Sequence, residues 1–166
     1  MKNNRRAPIL HSAELDRQSG KLRDAQCKID EASVWVARSG SQELLCLLYL
    51  TRGRLLKTQQ RNVNARGVLE DTVHIARNCK LALYHIDLMN ELAEMAVERN
   101  QMTIARDFLL ATLNGLLRST HQPAQTESLP LEDYDIVGAN HESCQYRLGS
   151  ARAEDLLKSI GLRGSS

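Results

Sequence analysis

His141, Glu142 and Cys144 are the tightest grouping of chemically capable side chains in the sequence, with the types needed for a metal site or a Cys–His nucleophile. Either chemistry requires the groups to converge on one atom, and side chains this close in sequence diverge. No second ligand cluster stands near to complete a site. The other histidines, His11, His74, His85 and His121, are dispersed, as are Cys27, Cys46 and Cys79. None falls into a CxxC, HExxH, GxSxG, phosphate-loop, dinucleotide or EF-hand spacing. Loop polarity accounts for His141 to Cys144, so no catalytic residue, metal or cofactor is expected, and an enzyme is not the reading. Three of the four cysteines, Cys27, Cys46 and Cys79, are read as falling within helical segments, where cysteine behaves as a small hydrophobe. His74 and His85 read as packed or solvated turn residues.

The charged residues say more. Asp87, Glu91, Glu94 and Glu98 recur at steps of four, three and four, which sets them on one face of a helix. An earlier helical segment carries Arg52, Arg54 and Lys57 instead. A surface acidic on one helix and basic on another orients a partner segment that carries both charges. The chain as a whole has a net charge of +2, from 22 basic and 20 acidic residues, too little to point to nucleic acid or membrane. The basic opening Met1-Lys2-Asn3-Asn4-Arg5-Arg6 and a pI near 8.4 keep a nucleic-acid-binding helical protein as the alternative, although no basic stripe along one face supports it. No apolar run follows that opening as a signal peptide requires. The most apolar stretch, Leu44 to Leu50, is far shorter than the roughly 20 residues that span a bilayer. A cytoplasmic protein with no membrane partner is expected.

The elements that must carry these residues are helices. Aromatics make up only 4% of the chain, which argues against a β-sandwich or barrel. Leu22, Ala25, Ile29, Ala32 and Val36 follow helical spacing along one face. Gly40 then fits a helix C-terminus that needs positive φ, and Ser41 can cap the next helix with Glu43 near its positive end. That helix runs to about Leu56, and others are predicted from about Val63 to Arg77, Leu81 to Arg99 and Thr103 to Arg118. Trp35 is either a partner-binding anchor or a packing residue against a neighbouring pair. From His121 to Leu131 the prolines and polar residues read as a linker, Asp133 to Leu148 has a possible short helix around Ile136, and Ala151 to Leu162 form one more helix with Leu156, Leu157 and Ile160 on its apolar side.

A period of 40 runs through the helical part. Ala25, Ala65 and Ala105 are followed four residues later by Ile29, Leu69 and Leu109, then by Ala32, Thr72 and Thr112. Twelve residues before each alanine stand Ala13, Gly53 and Ala93, with Ile9, Tyr49 and Met89 four earlier again. Antiparallel helices approach to about 8–10 Å only where small side chains face one another. A single pair cannot bury both its faces, so pairs stack.

The small–twelve–small spacing with large apolar flanks resembles the tetratricopeptide repeat, over about residues 8 to 120. Tyr49, Gly53, Leu56, Ala65 and Leu69 match best, supported by Ala93, Ala105 and Leu109 and by Gly20, Ala25, Ile29 and Ala32. The period exceeds the family's usual length of about 34, and the proline that often closes each repeat is absent. Longer repeats of this kind resemble those of bacterial signal-transduction ATPases and maltose-regulator-type activators. The resemblance implies an all-α, right-handed helical-repeat solenoid of about three antiparallel helix pairs plus a C-terminal helix. Its divisions would be a disordered basic N-terminus (1–7), the array (8–120), an irregular linker (121–149) and a helix (150–163) that is either a lone cap or the start of a further repeat in a longer protein. The implied function is a protein–protein interaction scaffold, a regulatory or sensor segment of a larger signalling or transcription-regulatory assembly, whose partner is another protein, a peptide or another domain. The implied groove is lined by the first helix of each pair, at Leu50, Arg54 and Lys57 and at Asp87, Asn90, Glu91, Glu94 and Glu98. Relatives that clamp a C-terminal carboxylate use Lys and Asn on first helices. The corresponding places here hold Leu50 and Arg54, then Asn90 and Glu94, which does not reproduce that clamp.

Overall fold

The computed structural model describes residues 7–121 and 151–161. Among them lie α1 (Ala7–Gln18), α2 (Leu22–Ser39), α3 (Gln42–Thr58), α4 (Asn62–Asn78), α5 (Ala82–Glu98), α6 (Met102–His121) and α7 (151–161), and no strand. The protein is an all-α helical-repeat fold. The expected disordered tail lies outside the described residues except for Ala7, which the structure places in α1. The linker beyond His121, with His141, Glu142 and Cys144, also lies outside them. By contact density the chain divides into two units, Met1–Glu91 and Leu92–Ser166, with the boundary inside α5.

In the first unit α1 packs on α2, both pack on α3, and α3 packs on α4. Its core joins Leu10 and Ala13 of α1, Ala25, Ile29 and Ala32 of α2, and Leu48 and Leu55 of α3. Gly53 sets the distance between α3 and α4: a Cβ there would lie 2.6 Å from Leu69 Cδ2. In the second unit, Ala93 and Ala96 of α5 pack with Ala105 and Leu109 of α6 and with Ala153 and Ile160 of α7.

The repeat register has a direct physical counterpart. Ala13, Ala93, Ala25, Ala65, Ala105, Ile29, Leu69 and Leu109 are each at most 1% exposed. Thr72 and Thr112 are buried beside them, and each hydroxyl donates to its own helix, to Val68 O at 2.6 Å and Phe108 O at 2.9 Å. A buried hydroxyl is tolerated there because its hydrogen bond is made locally.

The turns follow the same arithmetic. Gly20, Gly40, Gln60, Lys80 and Asn100, twenty residues apart, all take positive φ, between 57° and 77°. At Gly20, Gln60, Lys80 and Asn100 the following residue donates its N–H to the carbonyl five back, as in Arg61 to Leu56 at 2.9 Å and Gln101 to Ala96 at 2.9 Å. These are Schellman closures, which satisfy the carbonyls a helix end leaves open. Gly40 is left-handed as its sequence position implies, and Ser41 Oγ accepts from Leu44 N at 3.3 Å to cap α3.

The cysteines divide. Cys46 is buried as a small hydrophobe, but Cys27 and Cys79 are exposed. Cys27 falls two residues past Ala25, off the buried face of α2, and Cys79 is the residue that ends α4.

Candidate functional site: a charged face on the first helices

Arg54 and Lys57 lie one turn apart near the end of α3, and Glu91 meets both of them from α5. Arg54 Nε donates to Glu91 Oε1 at 2.7 Å, and Lys57 Nζ stands 3.7 Å from Glu91 Oε2. The Glu91 side chain is 5% exposed, against 23% for Arg54 and 20% for Lys57. A carboxylate removed from water in this way requires paired charge, and two cations supply it. On α1, Arg17 forks onto Glu14, Nε at 3.0 Å and Nη2 at 2.6 Å, while its Nη1 donates to Thr58 Oγ1 on α3 at 3.0 Å. The hydrogen bond to Glu14 holds the Arg17 guanidinium above its usual pKa against the opposing effect of burial, and the fields of Glu14 and Glu91 add to it. Arg17, Arg54 and Lys57 thus meet Glu14 and Glu91 on one face of the first unit.

The other expected groove residues are placed differently. Leu50 is 2% exposed and Asn90 fully buried, and so is Leu10, forty residues before Leu50. Leu50 and Asn90 are thus buried positions, where an exposed groove lining was expected. Asp87 is half-buried and its field reaches the Tyr84 phenol. Burial is the main cause that raises the Tyr84 pKa, with Glu43, Cys46 and Asp87 adding to it. In the second unit Glu94 accepts from Arg152 of α7, at 3.0 Å from Nε and 2.6 Å from Nη2, and Glu98 is exposed. The acidic run is therefore not a uniform solvent-facing stripe, since Glu91 and Glu94 are each taken up by cations from other helices.

Arg17 and Arg152 are the charged residues that sequence reasoning passed over. Arg17 stands forty residues before Lys57, so the repeat register carried its signal. Arg152 has no such counterpart.

Two further titratable groups, Cys46 and His85, are shifted by burial. Burial, helped by the fields of Cys79 and Glu43, pushes the Cys46 thiol up to about 11, away from the thiolate a nucleophile needs. The His85 imidazole is lowered, first by burial and then by Arg77, and its Nε2 is enclosed without a hydrogen-bond partner. His74 is exposed. Trp35 packs against the core of the first unit with its Nε1 enclosed and unpartnered, which sets it among the packing residues. Among the described residues no three His, Cys, Asp or Glu side chains stand together as a metal site, and no helix is long and apolar enough to cross a membrane.

The class that fold and surface define is an all-α helical repeat with a charged face on its first helices. In comparisons with known proteins, no family model, no curated protein and no solved structure matches the chain.

Proposed function

We propose that the protein is a cytoplasmic protein–protein interaction scaffold of tetratricopeptide-like repeats, a regulatory or sensor segment of a larger signalling or transcription-regulatory assembly. The observation that carries this reading is the face holding Arg17, Arg54 and Lys57. Its charges are fixed in position by hydrogen bonds and ion pairs within a packed scaffold, and Arg17, Arg54 and Lys57 each keep part of the side chain exposed. Rigid, partly exposed guanidinium and ammonium groups suit a partner segment that carries carboxylates, and their desolvated stems limit the entropy lost on binding. Function on a repeat fold resides in such a surface, and no group around it is poised for bond-making.

The experiment neutralises the face without breaking its core. Arg17→Gln with Lys57→Gln leaves the Arg54–Glu91 pair in place. Arg23→Gln with Arg66→Gln removes the same charge from α2 and α4, where both residues lie away from this face. The expected outcome is loss of the proteins co-purified from the native host by the first variant alone, with salt-sensitive association kinetics for the wild type. Identical partner profiles for both variants overturn the assignment of this face.

A further inference from the structure

Two substitutions at matching register positions set the second unit apart from the first. α3 rests on the α1–α2 pair through Leu48 and Leu55, seven residues apart. In the second unit α7 meets α5 and α6 through Ala153 and Ile160, again seven apart. Aligned on these pairs, Gly161 of α7 takes the place of the buried Leu56 of α3. A Cβ at Gly161 would meet nothing within 4 Å, so the space beside it is open. That space belongs to a cleft of about 560 Å³, walled by α6 and by the last turns of α7.

The walls are apolar. Met102 and Leu110 line the cleft from α6, and Leu157 and Ile160 from α7. Leu110 is 39% exposed, and eighty residues earlier the same register position on α2 is the exposed Asp30. The second unit therefore lacks a side chain where the first has a leucine, and has a leucine where the first has a carboxylate. The volume falls within the range of small-molecule sites, about 300–1,000 Å³.

Two polar groups stand at the same cleft, three residues apart on α6. Arg106 is exposed, and among the described residues its guanidinium makes no hydrogen bond or ion pair, whereas Arg17, Arg54, Arg66 and Arg152 are each paired. The Thr103 hydroxyl is also unspent among the described residues. Thr51, Thr72 and Thr112 donate to the carbonyl four residues back, but Thr103 lies in the first turn of α6 and has no helical carbonyl at that distance. A guanidinium and a hydroxyl beside an apolar cleft match a ligand with one anionic head and an apolar tail. A peptide fits less well, because the lining side chains offer its N–H groups a single oxygen acceptor, that of Thr103.

We propose that this cleft binds a free fatty acid of medium length, its carboxylate on Arg106 and Thr103 and its tail along Leu110, Leu157 and Ile160. The site is separate from the Arg17, Arg54 and Lys57 face, and its test does not depend on the outcome there.

The probe is decanoate, kept below its micelle-forming concentration and titrated into the full-length protein by calorimetry, with decanol as the uncharged tail of the same length. The wild type is expected to bind one decanoate per chain, more tightly than decanol. Arg106→Gln is expected to weaken decanoate by about tenfold or more and to leave decanol unchanged, since a hydrogen bond to a charged group is lost. Gly161→Leu places a side chain in the cleft and is expected to abolish the binding of both. Circular dichroism and melting temperature report the folding of each variant. If Gly161→Leu loses its helicity, Leu110→Asp, which installs the residue of the matching α2 position, decides in its place and is expected to abolish decanoate binding. Decanoate affinity unchanged in the folded variant overturns the site. Equal wild-type affinity for decanoate and decanol overturns the anionic ligand class, and no decanoate binding to the folded wild type overturns the proposal altogether.

Discussion

At Gly53 a single methyl group decides how close two helices come. The Cβ of an alanine would stand 2.6 Å from Leu69 Cδ2 and 2.8 Å from Leu69 Cγ, and Leu69 is fully buried. Overpacking of this kind costs about 1–3 kcal/mol. The better helix propensity of alanine returns about 1 kcal/mol at most. Gly53→Ala should therefore lower the urea midpoint, and adding Leu69→Val should restore part of the loss; an unchanged midpoint would show that Leu69 can move aside. The sequence disclosed this position through its spacing from Ala65. It disclosed nothing about His85, whose environment arises only on folding. Folding lowers the His85 pKa below the ordinary 6.5, so between those two values the unfolded chain binds the extra proton. Stability from this source is complete above 6.5 and is lost as the pH falls toward the folded value. Melting temperatures measured from about pH 7.5 to 5 should fall less in His85→Gln than in the wild type. Equal slopes would mean that His85 is protonated in the native fold.

Helices and their pairing were legible because the requirement behind them is local. Close approach demands small residues at a fixed spacing, and Ala13, Gly53 and Ala93 against Ala25, Ala65 and Ala105 meet it. The turns were legible where glycine stood and hidden at Gln60 and Lys80. Gln60, Lys80 and Asn100 adopt the same left-handed backbone as Gly20 and Gly40; Asn100 is of a type that favours it, but Gln60 and Lys80 give no sign of it in their side chains. The burial of Leu50 and Asn90 was likewise hidden, because one chain's periodicity says which face meets a neighbour but not how fully each position on it is covered. The turns yield an element-scale prediction. A left-handed residue with a side chain costs about 1–2 kcal/mol, and the greater unfolded-state freedom of glycine offsets about 0.5–1 kcal/mol of that gain. Gln60→Gly and Lys80→Gly should each raise the melting temperature slightly, Asn100→Gly less because asparagine tolerates this conformation. A lower melting temperature for Gln60→Gly would mean that its side chain contributes more to the turn than the strain costs.

Across the whole molecule, one register position illustrates how place in an array decides what a residue is worth. Leu15, Leu55 and Met95 recur every forty residues, and Ile160 takes the matching place on α7. Leu55, Met95 and Ile160 are 0%, 4% and 8% exposed, whereas Leu15 is 63% exposed. The sequence treats all four as equally apolar, so a pattern reading assigns them all to the core. The difference lies in what stands on the far side: α1 and α2 supply Ala13, Ala25 and Ile29 beneath Leu55, and the described residues place no comparable cover over Leu15. Identical chemistry should then produce opposite results. Leu55→Ala removes a fully buried side chain and leaves a cavity beside Ile29, which should cost about 2–5 kcal/mol. Leu15→Ala removes a side chain already in water and should stay within about 0.5 kcal/mol of the wild type. Both values come from urea unfolding of the full chain followed by far-UV circular dichroism, with the slope of the transition checked so that midpoints report stability. A loss at Leu15 approaching that at Leu55 would mean that Leu15 is covered in solution, and the repeat register would then extend to a contact on the outer side of α1.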